Sequence, residues 1–145
     1  MFNDKKVSVL IPCLNEESGL EKVFEEIPDF IDEVIVIDNG SQDNSTQIAK
    51  KHNAKLLNEN IRGYGIAILK CLKDAIGEII VIVDGDGSYP VAMVREICRY
   101  MEKGNFDFIS GRRFPLYNSK AMAFINKVSN YFISWLIRFL FRIKI

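Results

Sequence analysis

The run Gly77-Glu78-Ile79-Ile80-Val81-Ile82-Val83-Asp84-Gly85-Asp86-Gly87-Ser88-Tyr89-Pro90 passes from five consecutive β-branched residues straight into an acidic, glycine-rich turn. A short unbroken apolar run bounded by turn residues predicts a strand buried on both faces, the habit of parallel sheets. Val7–Ile11 is read the same way, and Val34–Ile37, Ala54–Leu57 and Phe106–Ser110 are read as further strands. Helical spacing fills the gaps between them. Leu20, Val23, Phe24 and Ile27 mark a helix near Glu17–Ile27, with Asn15 or Ser18 as cap and Pro28 as stop. Asp43 is placed to cap a second helix, Asn44 to about His52. Gly63 and Gly65 precede a third, whose inner face is expected at Ile68, Leu69, Leu72 and Ile76. Pro90 suits the first turn of a fourth, expected to bury Val94, Ile97, Cys98 and Met101. The βαβαβαβαβ order predicts an α/β fold with a mostly parallel, three-layer α/β/α sheet.

Ligands of open α/β sheets bind outside the carboxyl ends of the strands. The residues that follow each strand are therefore the candidates. They are Pro12-Cys13-Leu14-Asn15-Glu16, Asp38-Asn39-Gly40-Ser41-Gln42-Asp43, Asp84-Gly85-Asp86, and Ser110-Gly111-Arg112-Arg113. Carboxylates gather at one edge of the sheet with an arginine pair beside them. Asp84 and Asp86, two residues apart at a strand end, can point to one side and repel each other. A Mg²⁺ or Mn²⁺ between them, with phosphate oxygens completing its shell, removes that repulsion. Gly85 and Gly87 would let the backbone come close to a ligand. An isolated Asp-x-Asp is more often a solvated turn; its place after a buried strand argues for the metal.

Charge is unevenly distributed. Residues 1–107 hold 12 Lys and Arg and all 19 Asp and Glu, whereas residues 108–145 hold seven bases and no acid. Such asymmetry predicts an anionic partner for the tail. Phe124–Phe141 reads as one helix. Its polar stripe is Asn126, Asn130, Ser134, Arg138 and Arg142, and its wide apolar face includes Phe132, Trp135, Leu136 and Phe139. That pattern suits residues 124–142 lying in a lipid headgroup region, with a packed interface helix as the plainer alternative. Arg138 and the stripe argue against a spanning helix. The interleaved apolar residues argue against nucleic acid. Cys13, Cys71 and Cys98 lack metal-ligand spacing and predict buried, reduced thiols. Met1–Lys6 has no apolar run of the signal-peptide kind. His52 is expected to face solvent, and Tyr64 either stacks on a ligand or decorates a turn.

The ordered set VSVLIPCLNEE, EVIVIDNGSQDNS, NIRGYGIAILKCL, GEIIVIVDGDGSYP and FISGRRF resembles family 2 glycosyltransferases of the GT-A fold. It looks most like the dolichyl- and polyprenyl-phosphate mannose and glucose synthases. The resemblance spans roughly residues 6–114. It implies a nucleotide-sugar-binding domain at 1–114 and an incomplete, basic acceptor-side or membrane-associating part at 115–145. It further implies that Pro12, Leu14, Asn15 and Glu16 contact base and ribose. Asp38 and Asn39 match an Asp-Asp pair that holds the base, with Asn39 a departure whose amide oxygen can still accept a base N–H. Asp84, Gly85 and Asp86 match the motif for metal and diphosphate, so the metal ligands are Asp84 and Asp86. Arg113 matches a phosphate-facing arginine, and Arg112 replaces a serine. Asp84, Asp86 and Arg113 are then the catalytic set. They would serve inverting transfer from a GDP-mannose or UDP-glucose type of donor to a polyprenyl or dolichyl phosphate on the cytoplasmic face of a membrane.

Family members continue past the basic helix, so the chain is expected to be C-terminally truncated and to form oligomers or need a C-terminal partner. The alternative is a non-catalytic nucleotide-sugar-binding or membrane-interaction fragment. A nicotinamide-binding domain fits poorly. Its glycine fingerprint belongs after the first strand, where this chain has Pro12-Cys13-Leu14-Asn15.

Overall fold

The computed structural model describes residues 1–111 together with Phe132, Ile133 and Trp135. Met1–Ile109 form one compact unit, and Ser110–Ile145 divide from it. The elements run β1 (Val7–Cys13), α1 (Glu17–Glu26), β2 (Glu33–Asp38), α2 (Ser45–Lys51), β3 (Lys55–Asn58), α3 (Tyr64–Asp74), β4 (Ile79–Ile82), a 3₁₀ turn (Val91–Met93) and α4 (Val94–Gly104). The sheet order is β3-β2-β1-β4, and every pairing is parallel. Chain order reverses between β1 and β4, because β2 lies on one side of β1 and β4 on the other. This is the switch point at which open sheets form a crevice.

All seven residues of β1 are buried, as a central strand covered on both faces requires. Val7, Val9 and Ile11 face one layer with Leu20, Val23, Val36, Val94 and Cys98. Leu10 faces the other with Ile35, Ile37, Ala67 and Cys71. Thus α1, α2 and α4 cover one side of the sheet and α3 the other. The three thiols are free and buried, as expected, and burial raises each above its ordinary value.

Six local expectations need correction. The inner face of α3 is Ala67 and Cys71, whereas Leu69, Leu72 and Ile76 are exposed. Small residues set this helix down close to the sheet and turn its larger side chains outward. Gly65 lies inside α3, so only Gly63 precedes it. Ile97 of α4 is 38% exposed, and Val91, Val94 and Cys98 make the buried face. Neither Asn15 nor Ser18 caps α1. Glu16 stands at its N-cap without a side-chain bond, and Asn15 is used elsewhere.

Phe106–Ser110 forms no strand, and the described residues contain four strands, not five. Asn105 ends α4 in the left-handed region, and the Phe106 N–H returns to the Met101 carbonyl. Phe108 is 81% exposed. A run so short gains nothing from extension without a partner ladder.

His52 is not solvent-facing but half-buried. Its ring stacks on Phe24 with centroids 4.4 Å apart, and Nε2 lies 3.2 Å from the Glu21 carboxylate. Most of the expected tail helix lies outside the described residues. Phe132, Ile133 and Trp135 are helical and exposed, and the Phe132 and Trp135 rings stack at 6.1 Å.

Candidate functional site

A cleft of about 300 Å³ opens at the carboxyl ends of β1 and β4. Pro12, Leu14 and Glu16 enter it from the β1 end, and Asn39 from the β2 end. Tyr64 and Ala67 come from α3, and Asp84, Gly85 and Asp86 from the β4 end. Asn15 and Asp38 do not line it, and Arg113 lies outside the described residues.

The loops after β1 and β2 are laced together. Asn15 adopts φ 57°, its N–H donates to Ser41 Oγ at 3.0 Å, and its Oδ1 accepts the Gln42 N–H at 2.8 Å. The fully buried Ser45 accepts the Glu16 N–H at 2.9 Å and donates to Asp43 Oδ1 at 2.6 Å. Asp43 also accepts the N–H groups of Ser45 and Glu17. It thereby serves the first turns of both α2 and α1, where unpaired N–H groups favour a carboxylate. Burial alone would raise the Asp43 carboxyl; the Ser45 hydroxyl and these backbone bonds outweigh it and hold the group below its ordinary 3.8. Asp38 folds onto its own turn, accepting the Gly40 and Ser41 N–H groups at 3.3 and 3.0 Å. The expected base-contact roles of Asn15 and Asp38 thus meet side chains already engaged with backbone.

Asn39 behaves in the same way, with a chemical reason for its amide. Its Nδ2 donates to the Glu59 and Ile61 carbonyls at 2.8 and 2.9 Å, and its Oδ1 accepts the Gly63 N–H at 2.9 Å. A carboxylate could accept but not donate. The amide oxygen expected for a base is committed to this loop.

Asp84 and Asp86 border one cleft, as two positions apart at a strand end allow. The Tyr64 hydroxyl donates to Asp84 Oδ1 at 3.0 Å. Partial desolvation of its hydroxyl, then the bond to Asp84 and its charge, push the Tyr64 phenol up to about 12, so it remains a donor at neutral pH. Asp86 Oδ1 accepts the Ser88 N–H at 2.8 Å. Burial and the charges of Asp86, Asp84 and Asp43 raise the Glu16 carboxyl above its ordinary 4.5. Crowded acids of this kind suit a hard divalent cation, which takes oxygen ligands. Among the described residues no group of three or more His, Cys, Asp and Glu closes around a metal. The chain's share of a Mg²⁺ or Mn²⁺ shell would be Asp84 and Asp86, with the rest from phosphate and water, the usual habit of Mg²⁺ beside phosphates.

Gly85 lines the cleft as expected, and both glycines of the acidic turn also pack closely on protein. A Cβ on Gly85 would meet Glu16 Cβ at 3.3 Å. Gly87 has φ 70° and its carbonyl accepts Lys22 Nζ at 3.3 Å. The partner of Gly87 is Gly19, which the sequence reading missed. A Cβ there would lie 2.3 Å from the Asp86 carbonyl carbon. The available signal was a glycine inside a helical pattern, where it is costly without a packing reason. The Tyr64 hydroxyl was missed as a partner of Asp84, since no sequence pattern joins residues 64 and 84.

The sheet, its switch-point cleft and its acidic turn define an α/β protein with a crevice at the strand carboxyl ends, the place where open sheets take ligands. The chain belongs to glycosyl transferase family 2, whose family model matches residues 8–140. An uncharacterised glycosyltransferase of Mycobacterium tuberculosis is 32% identical over 132 residues, covering 91% of this chain and 59% of that protein. A dolichol-phosphate mannosyltransferase of Pyrococcus furiosus is 29% identical over 118 residues, 75% of this chain and 33% of that one. Glucosyl-3-phosphoglycerate synthase of M. tuberculosis superposes with a TM-score of 0.61 at 30% identity, covering 70% of this chain and 42% of that one. The same synthase was crystallised with Mn²⁺, UDP and glucosyl-3-phosphoglycerate, and that complex superposes at 0.57 with 26% identity over 72% of this chain and 40% of that one. The chain thus spans 59% of the length of the first curated relatives it matches.

Proposed function

We propose that the chain carries the donor site of a metal-dependent, inverting glycosyltransferase. The donor is a nucleotide-diphosphate sugar of the GDP-mannose or UDP-glucose type. The acceptor is a polyprenyl or dolichyl phosphate at the cytoplasmic face of a membrane. The observation that carries this reading is the pair Asp84 and Asp86 on one cleft, crowding Glu16 at the switch point.

An acceptor phosphate is anionic near neutral pH and needs little help from a base. Its oxygen attacks the anomeric carbon, the new C–O bond forms as the bond to the diphosphate breaks, and the nucleoside diphosphate leaves with the electron pair. Attack opposite the leaving group inverts that carbon. Divalent metal bound at Asp84 and Asp86 would neutralise the charge that gathers on the leaving diphosphate. Pro12, Leu14 and Glu16, which line the cleft, are assigned to base and ribose. Asn15, Asp38 and Asn39 hold the loops around it. Arg113, with Arg112, is assigned to the acceptor phosphate.

Similarity to dolichol-phosphate mannosyltransferase supports the lipid acceptor. Similarity to glucosyl-3-phosphoglycerate synthase supports a second reading, in which the acceptor is a small phosphorylated acid. Both acceptors present a phosphate. Calorimetric titration with UDP- and GDP-sugars, with and without Mn²⁺, tests the donor site. Mn²⁺-dependent binding that vanishes in Asp86→Ala is expected, and unchanged binding in that variant overturns the assignment. Radiolabelled transfer to dolichyl phosphate against 3-phosphoglycerate then separates the two acceptors. Binding without transfer to either would make the chain a nucleotide-sugar-binding fragment.

A further inference from the structure

We infer that Tyr64 is a positioning residue for Asp84, and that Asn39 holds Tyr64 in place. This rests on the proposed role of Asp84 as a metal ligand. A carboxylate just past the end of a short strand has two equivalent oxygens and free rotation about its last bonds. Asp84 is only half-buried, and β4 spans just Ile79–Ile82. The Tyr64 hydroxyl bonds Oδ1 at 3.0 Å and ends that freedom, leaving Oδ2 as the oxygen to present to a cation. Ligating carboxylates are commonly tuned by such outer partners.

Tyr64 cannot do this unless its backbone is set, and its ring is largely exposed, so packing does not set it. It is the first residue of α3, preceded by Gly63 at φ 151°, a conformation that tolerates no side chain well. Asn39 supplies the constraint. Its amide closes on the Glu59 and Ile61 carbonyls and on the Gly63 N–H, three bonds across a five-residue loop. The path runs from the end of β2, through the loop before α3, to the end of β4. It links two acidic strand ends that are not neighbours in the sheet.

The test counts metal, not turnover. Mn²⁺ is titrated into the full 145-residue chain with UDP or GDP present, and free ion is read from its electron paramagnetic resonance signal. Tyr64→Phe keeps the ring and is expected to raise the Mn²⁺ dissociation constant about tenfold. Nucleotide affinity measured without metal stays unchanged. Asn39→Asp, which keeps size but loses both donors, weakens Mn²⁺ binding at least as much. The double variant is no weaker than the weaker single, because both act along one path. Wild-type Mn²⁺ affinity in Tyr64→Phe overturns the inference. So does an equal loss of metal-free nucleotide binding, which would make Tyr64 a direct contact. So do additive effects in the double variant. If the wild-type chain itself takes no Mn²⁺ with either nucleotide, the donor-site reading falls first and this one with it.

Discussion

Gly19 shows how one missing methyl group sets the site. Helix α1 meets the acidic turn backbone to backbone, and any β-carbon at position 19 would overlap the Asp86 main chain at 2.3–2.6 Å. Backbone cannot step aside as a flexible side chain can. Gly19→Ala is expected to gain helix propensity yet lose stability by about 1–3 kcal/mol through overpacking, read in urea unfolding. The same variant should lose Mn²⁺-dependent nucleotide binding, since Asp86 must move. Full retention of both would show that the turn is softer than its contacts imply. Asp43 works in the opposite sense, by what it adds. It joins the starts of α1 and α2 through Ser45 and Glu17. Asp43→Ala leaves buried Ser45 without its acceptor and should cost about 1–3 kcal/mol in the same assay.

At the scale of elements, β1 carries the molecule. It pairs on both edges and is buried on both faces, so its side chains serve two cores at once. Leu10 is fully buried against α3, and Leu10→Ala should cost about 2–5 kcal/mol by the lost transfer energy and the cavity left behind. The α3 interface answers to the reverse change. Ala67 and Cys71 are its buried residues, so Ala67→Leu would force the helix off the sheet. About 1–3 kcal/mol of destabilisation is expected, together with weaker Mn²⁺ binding, because Tyr64 rides on the same helix. The hydrophobic run of β4 is no measure of its place. Among the described residues it lies at the edge of the sheet, and Ile82 at its end is 46% exposed.

Across the whole molecule, acid and base act at different places. A Lys51 bond, aided by His52, holds Glu21 below its ordinary 4.5. The Val7 and Ile61 N–H groups do the same for Asp32 and Glu59. With Asp43, these carboxylates are more acidic folded than unfolded. Their stabilisation is therefore present above the unfolded values of about 3.8–4.5 and is lost as pH falls through the lower folded values. Thermal melts should be level near neutrality and drop steeply below about pH 4. Glu16 has the contrary sign, being raised, so it opposes folding once ionised. The basic end of the chain is the proposed membrane contact. No helix among the described residues is long and apolar enough to cross a bilayer. Trp135 is the sole tryptophan of the chain and is 57% exposed, which makes it a clean reporter. Its emission should shift to the blue with anionic vesicles and stay put with zwitterionic ones; no shift with either would argue for a protein interface instead.

The amino-acid sequence by itself determined the alternation of elements, the parallel sheet and the strand ends at which chemistry collects. Period, run length and turn residues are local, and a parallel sheet sends all its strand ends to one edge. It did not disclose which helix face packs. Ala67 and Cys71 look less apolar than Leu69 and Leu72, yet close approach to the sheet favours small residues. Nor did it forbid the expected strand at Phe106–Ser110, which the structure leaves without a ladder. Tertiary structure alone decided who touches whom around the cleft. Asn39 reaching Gly63, Tyr64 reaching Asp84 and Gly19 meeting Asp86 join residues about 20 to 70 positions apart. Contacts between separate strand ends exist only once the sheet has brought those ends together, so no stretch of chain read alone can carry them.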